Sequence, residues 1–62
     1  MSKSPGAIIL RNNAREYRAD AADYRALGGV ENQQRATNLE YLSAELDHEA
    51  RALELIAAGV GQ

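Results

Sequence analysis

Cysteine, phenylalanine and tryptophan are all absent from this 62-residue chain, and three tyrosines are its only aromatic residues. The lack of cysteine excludes a disulfide framework, a thiolate zinc site and a cysteine nucleophile. A single histidine leaves little room for imidazole chemistry. A chain of this length buries only about 60% of its unfolded surface even when well packed. Without large aromatic side chains, a self-sufficient monomeric core is not expected. The formal charge of −2 argues against a generic polyanion binder. The longest apolar run near the N-terminus is Ala7-Ile8-Ile9-Leu10. It is too short for a signal h-region or a membrane-spanning helix, so the expected location is the cytoplasm, without a membrane partner.

What is present is helical. Ser4-Pro5 has the form of an N-cap followed by proline at the first helical position, where its missing N–H is not needed. From there to Leu27 only Gly6 weakens a stretch rich in alanine and arginine, both good helix formers. Gly28-Gly29 ends it, since glycine alone takes positive φ freely. The stretch from Val30 to Ala58 contains neither Gly nor Pro. Gly59 stands where a C′ glycine belongs, with Val60 placed to touch Leu55. The chain therefore reads as one all-α unit over residues 1–62, with helices over about 5–27 and 30–58. A two-residue break makes them antiparallel neighbours, a helical hairpin.

Two apolar stripes follow from the 3-4 spacing. The first helix carries Leu10, Ala14, Tyr17, Ala21 and Tyr24. The second carries Leu39, Leu42, Leu46, Leu53, Ile56 and Val60, with Glu49 in the gap. Ala36, Ser43, Ala50 and Ala57 form a small-residue row at intervals of seven, which this reading places beside the leucine seam. The apparent pairing sets residue i of the first helix near 57 − i of the second. Pro5 is then reached at about position 52, leaving Leu53, Leu55, Ile56 and Val60 uncovered. At the same end Ile8 and Ile9 point to different sides of the first helix. These six residues are the candidate self-association or partner surface, because an exposed apolar cluster of that size marks an interface.

The charges of the first helix are sorted by sign. Arg11, Arg15, Arg18 and Arg25 fall within an arc of about 80°, and Glu16, Asp20 and Asp23 lie roughly opposite. Like charges at i,i+4 are mildly destabilising in an isolated helix. The arginine row is therefore a candidate for electrostatic recognition, or for pairing with the acidic second helix. Glu45-Leu-Asp-His48 has the E-x-x-H spacing that ferritin-like di-iron proteins use, and Glu16 would be a third ligand. This metal set is the least favoured, because His48 lies in line with Tyr41 and Leu55 rather than with the seam. No cofactor is expected.

The sequence points to a non-enzymatic hairpin that self-associates, as a two-fold dimer forming a four-helix bundle or coiled-coil-like pair. Its expected work is binding another protein as an inhibitor, adaptor or regulatory subunit. The alternative is a nucleic-acid-binding helical dimer that uses the arginine row, and a ferritin-like metal protein ranks third.

Overall fold

The computed structural model describes residues 4–59. It contains α1 (Pro5–Leu27) and α2 (Val30–Ala57), packed antiparallel as a hairpin measuring 47 × 16 × 11 Å. At 1.5 Å per residue the helices are about 35 and 42 Å long, so the molecule is as long as its longer helix and two helices wide.

The local chemistry explains both helix starts. Ser4 is extended (φ −92°, ψ 115°) and its Oγ accepts the Ala7 N–H at 3.3 Å, with Pro5 in the first turn. At the break, Gly28 (φ 80°, ψ 179°) and Gly29 (φ 86°, ψ 155°) both occupy a region that side-chain-bearing residues avoid. The Gly28 N–H donates back to Tyr24 and Arg25, which closes α1. Gly29 begins α2 without a side-chain cap. Asn32 supports the turn instead, its Nδ2 donating to the Gly28 carbonyl at 2.8 Å. The far end of α2 stops at Ala57, one residue earlier than the sequence suggests. Gly59 has φ 80°, and its N–H donates to the Ile56 carbonyl at 2.9 Å, as a glycine C′ cap requires. Val60 lies outside the described residues.

The packing reverses one expectation. The residues buried in the hairpin are Ala7, Ala14 and Ala21 of α1 and Ala36, Ser43 and Ala50 of α2, all at 3% exposure or less. Among the described residues no large side chain is fully buried. The small-residue row is therefore the centre of the helix contact, and the leucines lie on its flank. The physical reason is distance: interaxial separation is set by the side chains at the contact, and two rows of methyl-sized groups let the backbones approach closely. Ser43 fits in this seam because its Oγ–H donates to the Glu40 carbonyl of its own helix at 2.7 Å, so no polar atom is orphaned.

Lettering the alanine row a in a heptad a–g puts Leu10, Tyr17 and Tyr24 of α1 and Leu39, Leu46 and Leu53 of α2 at d. Arg11, Arg18 and Arg25 of α1 and Gln33, Glu40, Asp47 and Glu54 of α2 then fall at e. In an antiparallel pair the e rows share one broad face and the d rows the other.

Candidate interaction surface

The e face is held by ion pairs. Arg11 donates Nε to Glu54 Oε2 at 2.8 Å and Nη2 to Oε1 at 2.6 Å, and its Nη1 lies 3.4 Å from Asp47 Oδ1. Arg18 Nη1 reaches Asp47 Oδ2 at 2.7 Å. Arg25 repeats the two-pronged contact on Glu40, at 3.0 and 2.6 Å, and also donates to Gln33 at 2.6 Å. The bidentate hydrogen bonds hold the Glu54 and Glu40 carboxyls below the ordinary carboxylate range and raise the two guanidiniums above theirs. These side chains are 33–49% exposed, so solvent screens the pairs and each adds little to stability. Three members of the arginine row are thus engaged within the hairpin. Arg15 lies at b, on the outer side, away from all of these pairs.

The d face is apolar and open. Leu10, Tyr24, Leu39 and Leu46 are half-buried along the flank of the seam. Tyr17 (36% exposed) and Leu53 (37%) complete the d stripe, and Leu42 (45%) and Ile56 (64%) extend it outward onto the g positions of α2. Arg35, also at g, sits at the margin with its guanidinium carbon 5.9 Å from the centre of the Tyr24 ring, a cation–π distance. This surface runs the length of the hairpin and is far larger than a cluster at its open end.

The open-end residues divide. Leu53 and Ile56 belong to the long apolar face. Leu53 is also partly covered: a Cβ at Gly6 would stand 3.3 Å from its Cδ1, and next to it Glu54 is bound to Arg11. Contacts between the helices thus continue past the expected limit at position 52, to Leu53 and Glu54. Ile8 at b, Ile9 at c and Leu55 at f face other directions, each exposed. Val60 is outside the described residues. The structure joins two of the six candidates to the leucine face and leaves three of them on separate sides.

His48 and Glu45 line a shallow groove on the outside of α2 with Tyr41, Ala44 and Glu49. A hydrogen bond to the Glu45 carboxylate, and then its charge, hold the Tyr41 phenol above its ordinary range. Glu16 is on the outer side of α1. Among the described residues no group of three or more His, Cys, Asp or Glu side chains is gathered to hold a metal ion. No described helix is long and apolar enough to cross a membrane.

Sequence reasoning found every large apolar residue of the d face but placed Leu42 in the seam of the hairpin, and it expected Ile56, on the same stripe, to be uncovered only because it lies beyond the end of α1. On α2 the d/g and d/a rows have the same 3-4 spacing and share Leu39, Leu46 and Leu53. The signal that separates them is the seven-residue alanine rhythm common to both helices. Comparison with protein-family models, with curated proteins and with solved structures finds no match.

Proposed function

We propose that this hairpin is a non-enzymatic protein-binding module that works through helix–helix contacts on its d/g face, self-associating and acting as an adaptor, inhibitor or regulatory subunit. The observation that carries this reading is the division of labour between the two apolar rows. The alanine seam satisfies the intramolecular contact, so the tyrosines and leucines are left over. A continuous apolar face on a helical pair is an interface in waiting, and helix-in-groove or helix-on-helix docking is the recognition mode it suits. The nucleic-acid reading is weaker, because three of the four arginines it needs already hold carboxylates. The cytoplasm is the proposed setting.

The test uses Leu42→Glu combined with Ile56→Glu. Both residues are exposed in the hairpin, so helicity by circular dichroism should persist. Sedimentation equilibrium should show the parent associating and the variant monomeric, and proteins captured by the parent from its native source should be lost. The reading is wrong if the variant associates and captures as the parent does. Binding to a DNA duplex that weakens steeply with salt, in parent and variant alike, would favour the phosphate reading.

A further inference from the structure

Resting on that reading, we infer that the d/g face takes a second copy of this chain in an antiparallel arrangement, with the two-fold axis passing through Leu42 so that Arg35 pairs with the partner's Glu49. The broad side of the hairpin extends 47 by 16 Å, and Leu42 lies near the middle of α2 (Val30–Ala57), so two copies related through it overlap along nearly the whole helix.

The charge pattern chooses the arrangement. The g row of α2 reads Arg35, Leu42, Glu49, Ile56 at even heptad steps, and its first three members are a cation, an apolar residue and an anion. Reversed along a second copy it becomes anion, apolar, cation. A row of this kind is complementary to itself only when the copies run antiparallel, and the two contacts are then identical by symmetry, as an isologous interface demands. Neither Arg35 nor Glu49 takes part in the ion pairs of the e face. Arg35 is held at the rim by Tyr24 and by its 3.1 Å bond to Asn32, so its guanidinium is already positioned beside the apolar stripe.

The other two-fold arrangement sets the copies parallel and lays α2 on the partner's α1. The g row of α1 is Gly6, Asn13, Asp20, Leu27 and contains no cation. Arg35 would meet Asp20, but Glu49 would stand over Gly6 and Leu42 over Asn13.

The experiment is a charge exchange read by sedimentation. Arg35→Glu alone and Glu49→Arg alone should each weaken the dimer, by roughly tenfold in Kd, while the double exchange returns it to within about threefold of the parent. In the cysteine-free chain, Leu42→Cys should form a disulfide-linked dimer on mild oxidation, and Ala44→Cys, on the outer side, should not. If Arg35→Glu is rescued by Asp20→Arg instead, or if cross-linking needs Asn13→Cys together with Leu42→Cys, the antiparallel arrangement is overturned and the parallel one holds. A parent that stays monomeric and helical at high concentration overturns the dimer itself, and with it self-association through this face.

Discussion

Arg11 grips Glu54 through both carboxylate oxygens, at 2.8 and 2.6 Å, and two heptads along Arg25 grips Glu40 in the same way. The repeat shows that one register holds along the whole hairpin. With the e rows locked to each other, the d rows are placed together on the opposite side, where they leave an apolar surface.

The alanine seam makes a specific demand on size. Ala14 is wholly buried, so Ala14→Leu must force the helices apart and should destabilise the hairpin by about 1–3 kcal/mol. Ser43→Ala keeps the volume, removes a hydroxyl bonded only within its own helix and improves helix propensity. It should be neutral or stabilising by a few tenths of a kcal/mol. Thermal melts of the two variants against the parent check both, and equal tolerance of leucine at position 14 would contradict the close-packed seam.

Both turn glycines adopt backbone angles reserved for glycine, with open space around them. Alanine at either position meets no neighbour, yet the strained φ/ψ should cost about 1–3 kcal/mol. Denaturant titration of Gly28→Ala and Gly29→Ala measures this. Gly59→Ala, at the frayable end of α2, serves as the milder comparison.

Acid should loosen the e face. Glu40 and Glu54 have folded-state pKa values depressed below 4.5 by Arg25 and Arg11. Their contribution is present above the unfolded-state value and is lost as pH falls through the folded one. The melting temperature should therefore drop as pH is taken downward from about 4.5, and Glu40→Gln with Glu54→Gln should flatten that dependence. A double variant with the parent's full acid sensitivity would assign the effect to other carboxylates.

Association should stabilise folding. No large side chain among the described residues is fully buried in the single hairpin, so a second copy on the d/g face, as proposed, would supply burial that the monomer lacks. The melting temperature should rise with protein concentration. A sharp melt that is independent of concentration, with full helicity, would show a self-sufficient monomer.

Ile9→Asp and Leu55→Asp test the limits of the proposed interface. Leu55 at f lies well away from the d/g face and Ile9 at c borders it, so Leu55→Asp should keep the parent's oligomeric state in sedimentation and Ile9→Asp should weaken it far less than Leu42→Glu does. Dissociation by Leu55→Asp would extend the interface around α2 and return the open end to the role its exposed isoleucines suggest.

The sequence by itself determined the two helices, their caps and the break between them. These follow from short-range causes: Ser4 and Pro5 at a helix start, two glycines where positive φ is needed, and uninterrupted helix formers elsewhere. It also determined the heptad rhythm and the sorting of charge. Tertiary structure alone decided which apolar row faces inward. Leu39, Leu46 and Leu53 belong equally to a row with Ala36, Ser43 and Ala50 and to a row with Leu42 and Ile56, and spacing cannot separate them. The choice belongs to the pair of helices rather than to either one. Ala7, Ala14 and Ala21 on α1 present a matching line of small side chains, the backbones close over it, and the arginines come within reach of Glu40, Asp47 and Glu54. That close approach leaves the larger side chains on the outside, as an open apolar face.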